Sequence, residues 1–215
     1  PAAPQADTPV PTDSQEPATT EASSESTPDQ EKITEPTTMV QKGDGYELTA
    51  EFDASAQFPK GVELKVRELD SQSEEYKAHY DKAKETLRAS SLSYARFFDI
   101  QFLYEGNEVE PAAPVKISIK NDKALQLGED SKLKIVHFED ANQVEVIKAN
   151  TKEENKQVSE VSFQADSFSV YGDVAADFYT VKFVMLDSDD VEQEIVTLVD
   201  IAEGATIKDL PEEPF

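Results

Sequence analysis

Two histidines, His79 and His137, and no cysteine stand in the 215 residues of this chain, which narrows the chemistry its side chains can perform. Without Cys there is no disulfide, no thiolate metal ligand, no Cys nucleophile and no Cys–Gln thioester. No Gly-x-Ser-x-Gly elbow is present, and the seven glycines provide neither Walker-type nor Rossmann-type spacing. The sharpest candidate for a nucleophile is Ser169, in the segment SFSVY. A Ser hydroxyl can attack the carbonyl that precedes it, here that of Phe168, if a general base takes its proton. His137, in LKIVHF, is a base that a fold could bring close. The plainer reading of the same residues is a closing strand whose side chains alternate between two faces.

Three other groupings bear on chemistry. Asp187, Asp189, Asp190 and Glu192 offer oxygen ligands at a density that suits calcium, but Glu192 stands where an EF-hand loop needs glycine. A solvated acidic turn is the better expectation. A Lys–Asn isopeptide bond needs a buried lysine, whereas Lys116 and Lys134 fall on the outward, polar alternation of their strands. Finally, Tyr76, Tyr80, Tyr94, Phe97 and Tyr104 gather in sequence around one helix and the strand after it. They are the candidate binding residues, although a domain of this size needs most of its aromatics inside. These readings predict no enzyme, no cofactor and no metal.

The elements that would position these residues are mostly strands. Tyr46, Leu48, Ala50 and Phe52 alternate with polar neighbours, as do Val62, Leu64 and Val66 after the turn Phe58-Pro59-Lys60-Gly61. From Ser71 to Ala89 the period changes: Tyr76, Tyr80, Ala83 and Leu87 share a helical stripe, and Ser71 with Glu74 has capping-box spacing. His79 falls off the stripe and reads as a solvated surface residue. Phe98, Ile100, Phe102 and Tyr104 share one face of the most apolar strand, which turns at Glu105-Gly106-Asn107. Short strands continue through VKISI, LKIVHF, VEVI, QVSEVSF and FSVY. The pattern predicts a mainly β fold: an antiparallel β-sandwich with one helix in a connection.

Texture sets the domain limits. Residues 1–43 are dominated by Pro, Thr, Ser, Ala, Glu, Gln and Asp, too apolar-poor to offset ordering entropy, so a disordered arm is expected. The sandwich is expected over 44–177, and a smaller β unit over 178–215. Net charge is −25, with 45 acidic against 20 basic residues. That surface repels nucleic-acid phosphates and anionic lipid headgroups, so neither is an expected partner. No apolar run reaches the ~18–20 residues of a membrane span. The chain begins at Pro1 without Met and stops inside a pattern, and reads as a fragment.

Three resemblances follow from these residues, two over long segments and one over a short strand. The run FDIQFLYEGNEVEPAAPVKISI, then KIVHFED, VEVI and SFSVYGDV, resembles a β-domain common in large wall-anchored Gram-positive surface proteins of the streptococcal and clostridial type. The tail, through Tyr179-Thr-Val-Lys-Phe183, Gly204, Ile207, Pro211 and Pro214, resembles the first half of an internalin-type B (Listeria–Bacteroides) repeat, a β-grasp-like module. Both imply an extracellular protein anchored to the cell wall through a region outside this chain, monomeric and without chemistry. The implied function is that of an adhesin binding a host plasma or extracellular-matrix protein. A structural spacer, or an accessory domain of a large surface-anchored enzyme, is the alternative. SFSVY is also similar to the His-Phe-Ser strand at which some ZU5-related domains cut themselves, with Ser167 in place of the His.

Overall fold

The computed structural model describes residues 31–139, 143–187 and 191–206. Its elements in chain order are β1 (Thr37–Gly43), β2 (Tyr46–Phe52), β3 (Glu63–Glu68), α1 (Glu74–Leu87), β4 (Tyr94–Tyr104), β5 (Asn107–Glu108), β6 (Val115–Gln126), β7 (Ser131–Phe138), β8 (Val144–Ile147), β9 (Ala149–Glu154), β10 (Gln157–Ala165), β11 (Val170–Leu186) and β12 (Glu192–Ala202). One sheet runs β1-β2-β6-β10-β9. The other runs β3-β4-β11-β7-β8, with β5 on β4 and β12 on β11. Neighbouring strands are antiparallel, and the two sheets enclose a shared core, so the fold is a β-sandwich with its helix in the connection from β3 to β4.

Side-chain alternation builds the core from both sheets. Leu48, Ala50, Val115, Ile117 and Ile119 of the first sheet meet Phe98, Ile100, Phe102, Ile135 and Tyr171 of the second, all of them buried. Phe58, delivered by the turn after β2, stacks on Phe102 at 4.4 Å between ring centroids, and Phe52 packs edge-on against both.

The second sheet is covered on its other face as well. Phe97, Val136, Phe138, Val174 and Ala176, one residue out of phase with the sandwich core, bury against Ala83 and Leu87 of α1. The helix therefore lies across a sheet face. Its N-cap is Ser73, whose Oγ accepts the Tyr76 N–H at 3.0 Å, two residues later than the capping box read from the sequence. Its apolar stripe is laid onto Phe97, against which Tyr76 packs edge-on at 5.0 Å. Space beneath Phe97 comes from Gly172, the residue opposite it on β11.

Both expected boundaries move. Residues 1–30 of the expected arm lie outside the described residues, but 31–43 belong to the fold. The Lys60 N–H donates to the Glu31 carbonyl, the Ile33 N–H donates to the Phe58 carbonyl, and β1 pairs with β2 over its whole length. The sequence hid this because β1 is an edge strand held by backbone hydrogen bonds, with Met39 as its one apolar contact to the core. At the other end, the limit at 177/178 falls inside β11. This strand pairs with β4 and β7 through Ala175 and Asp177 respectively, then continues into a ribbon with β12. Phe178 and Ala202 at the ribbon's base are buried in the core beneath α1. Residues 207–215 of the expected repeat lie outside the described residues.

Gly172→Ala should destabilise the fold by about 1–3 kcal/mol in urea denaturation, because its Cβ would sit 2.7 Å from Cε1 of Phe97. An unchanged unfolding midpoint would contradict the packing of β11 beneath Phe97.

Candidate functional site

β7 and β11 are neighbours although separated in sequence, with Tyr171 opposite His137 and Val170 opposite Phe138. His137 thereby shares a face with Tyr171 and, two residues earlier on that face, with Ser169 just before β11. On the other side of β7, strand β8 sets Glu145 opposite His137. The register of three strands thus fixes the order Ser169–His137–Glu145. Ser169 Oγ lies 3.0 Å from His137 Nε2, and His137 Nδ1 lies 3.3 Å from Glu145 Oε1. His137 is 2% exposed and stacks on the Tyr171 ring at 4.2 Å.

The carboxylate sets the direction of these contacts. It can only accept, so Nδ1 donates to Glu145, and Nε2 lies beside the Ser169 hydroxyl. That hydroxyl donates to the Phe138 carbonyl at 2.7 Å. The flanking peptides are held tightly. The Phe168 N–H donates to Glu110 Oε2 at 3.0 Å, the Phe168 ring packs on Phe102 at 4.7 Å, and the Tyr171 hydroxyl donates to the Ser167 carbonyl at 2.6 Å. Beyond the site, the Ile100 N–H donates to the Ser169 carbonyl at 2.9 Å. Burial pushes the Glu110 carboxyl above the usual range, only partly offset by the Phe168 N–H.

Phe168, Ser169 and Val170 form part of the floor of a groove of about 670 Å³ beside α1. Ala78, His79, Lys82 and Glu85 supply the helical wall, and Asp99, Gln101 and Glu108 the far rim. His79, read from the sequence as solvated, packs edge-on against Phe138 at 4.7 Å and so forms part of that wall. His137, Glu139 and Glu145 also place one ligand atom each within 4.8 Å of one another, a donor set that could hold a divalent ion.

The five aromatic candidates do not form one face. Tyr76, Tyr80 and Phe97 meet beneath α1, where Phe97 is fully buried and the two tyrosine hydroxyls donate to the Ala95 and Leu92 carbonyls. Tyr94 packs in a separate cluster with Leu127, Val158 and Ala175, and Tyr104 lies near Gly61 at the far end of β4. Lys116 pairs with Glu51, and Lys134 pairs with Asp200 while lying over the Phe178 ring. Of the acidic turn, Asp189 and Asp190 lie outside the described residues, while Asp187 accepts from the Val191 N–H and from Gln193. Ser169 was legible as a candidate nucleophile, whereas Glu145 and Glu110 were not foreseen. The signal available was parity: His137 shares its phase in LKIVHF with Ile135.

Comparison with protein-family models, with curated proteins and with solved structures gives no match. Among the described residues, no helix is long and apolar enough to cross a membrane.

One further charge is buried on the same strand. Asp173 is 1% exposed, opposite Arg96, and neither of its carboxylate oxygens has a hydrogen-bond partner. Burial pushes its carboxyl from an ordinary 3.8 up to about 7, against the opposing pull of Arg96. The folded protein therefore holds a proton that the unfolded chain releases, and stability present at acidic pH is lost as pH rises from about 4 to about 7. The loss relative to Asp173→Asn, which carries no such charge, should be at most about 4 kcal/mol in denaturation curves taken across that window. Parallel pH profiles of the two proteins would contradict a buried, proton-holding Asp173.

Proposed function

We propose that this chain is a binding module of a Gram-positive cell surface, wall-anchored through a region outside it, which captures a host plasma or matrix protein without chemical turnover of that partner. The observation that carries this reading is the groove between α1 and the doubly covered sheet. Phe138, Phe168 and Val170 give it an apolar floor, and its rim carries Asp81, Glu85, Asp99 and Glu108 with Lys82 as the lining cation, Lys82 pairing with Glu85 and Arg67 with Asp99. A concave apolar surface with a net acidic rim fits an apolar anchor side chain flanked by Lys or Arg. The net charge of −25 would speed encounter with such a cationic segment. The resemblance to wall-anchored surface β-domains supports the setting.

A spacer is the second reading. β11 carries one 17-residue strand from the sandwich into the ribbon, with register shifts against β12 between Tyr179 and Val181 and between Phe183 and Val184, and this continuity favours a connector.

Ala78→Trp tests the first reading. Ala78 is exposed on the helical wall of the groove, so the larger ring fills the groove while leaving both cores untouched. Binding to a captured plasma or matrix protein should weaken at least about tenfold with thermal stability unchanged. Undiminished binding would place the interface elsewhere, and a chain that captures nothing in either form would favour the spacer.

A further inference from the structure

A neutral imidazole carries one N–H, and two acceptors face the ring of His137. Glu145 Oε1 lies 3.3 Å from Nδ1. Ser169 Oγ lies 3.0 Å from Nε2 and, because its own hydrogen goes to the Phe138 carbonyl, turns a lone pair to the ring. One ring hydrogen cannot serve both acceptors, and the ring is buried, so the deficit falls in a dry interior. The distance at Nδ1 points the same way. It exceeds the roughly 2.7–3.2 Å of an ordinary N–H···O bond. It matches the edge of about 3.3–3.6 Å between two donors of a tetrahedral ion whose bonds are about 2.0–2.2 Å long. Glu139, the residue after β7 ends, brings a second carboxylate oxygen to within 4.8 Å of both atoms. Its N–H donates to the Gln143 carbonyl at 3.1 Å, which closes the chain back toward β8 and Glu145.

We propose that His137 Nδ1, Glu139 and Glu145 bind one divalent transition-metal ion of the zinc class. The buried nitrogen donor selects against calcium and magnesium, which take oxygen ligands, and the two carboxylates balance the two charges of the ion. In the metal-free chain the ring hydrogen sits on Nδ1, toward Glu145. The ion takes its place there, and the ring carries its hydrogen on Nε2 instead. Nε2 then donates to Ser169 Oγ, which donates on to the Phe138 carbonyl. Every lone pair now faces a hydrogen or the ion, and Ser169 acts as the outer-shell support that fixes the tautomer of a metal-bound histidine. Glu139 and Glu145 are exposed, so the ion enters from solvent, and three protein ligands leave a fourth position to water. Bound there, the ion ties the end of β7 to β8, the four-residue strand at the edge of its sheet, and so stabilises that edge. None of the three ligands lines the groove, so the site stands whether or not the groove takes a partner protein.

Zinc titrated into the chelator-treated 215-residue chain, read by calorimetry and by native mass spectrometry, tests the proposal. The expected result is one zinc per chain, distinct from the weak binding that a net charge of −25 brings to the whole surface. The melting temperature should rise with zinc and not with equal calcium or magnesium. Glu139→Gln and Glu145→Gln should each weaken the zinc at least about tenfold, and both side chains are exposed, so the fold survives the change. Ser169→Ala should weaken it about tenfold through the lost support at Nε2. Nitrogen-15 NMR of His137 in the wild-type chain should show the ring hydrogen pass from Nδ1 to Nε2 as zinc is added. A chain that takes up no stoichiometric zinc would overturn the proposal. So would zinc binding that is undiminished in both glutamate variants, or an Nδ1 that keeps its hydrogen in saturating zinc.

Discussion

A sheet apolar on both faces must be covered on both faces, and this constraint organises the molecule. The strands β4, β7 and β11 feed two cores at once. Phe98, Ile100, Ile135 and Tyr171 face the opposite sheet, while Phe97, Val136, Phe138 and Val174 face the helix. Hydrophobic burial of about 25 cal/mol per Å² on each side makes α1 more than a connector, since without it a row of aromatic side chains would meet water. The groove follows from the same arrangement, because the helix covers the sheet only as far as Phe138 and leaves Phe168 and Val170 at its margin.

Double coverage also forces polar groups on these strands to find partners in a dry interior. His137 succeeds: both ring nitrogens have partners and the ring face stacks on Tyr171, so its burial costs little. Asp173, two positions from Tyr171 on the same strand face, does not, and its carboxyl is held well above the normal range by burial alone. The imidazole and the carboxyl are two outcomes of one packing rule. The first is a polar group fully partnered in a dry interior, and the second is a pH-dependent weakness.

The sandwich was legible because its strands alternate cleanly, from Tyr46–Phe52 to Gln157–Ala165. The helix was legible from its stripe of Tyr76, Tyr80, Ala83 and Leu87, but its seat on a sheet face was not, since nothing local says which sheet has a second apolar side. In retrospect the adjacent Phe97 and Phe98 say it: two neighbouring large aromatics on one strand must point into two different cores. β1 escaped notice because backbone pairing, and not apolar side chains, holds an edge strand. The site was half legible. Ser169 and His137 were both named from the sequence, whereas their contact and the carboxylate of Glu145 depend on the pairing of β7 with β11 and of β7 with β8, and that register is a property of the fold. The aromatic cluster was misleading because closeness in sequence around a helix and strand put its members on opposite sides of the sheet.

The central claim is that the register of β7 with β8 and β11 fixes the orientation of the buried His137 ring, with Nδ1 donating to Glu145. Nitrogen-15 NMR of the imidazole in the Ser169→Ala chain, where the hydroxyl is gone and the carboxylate alone sets the tautomer, tests this most directly. The account predicts a neutral ring protonated at Nδ1, with Nε2 bare. A ring protonated at Nε2 with Nδ1 bare would show that Glu145 does not hold the ring and would contradict it.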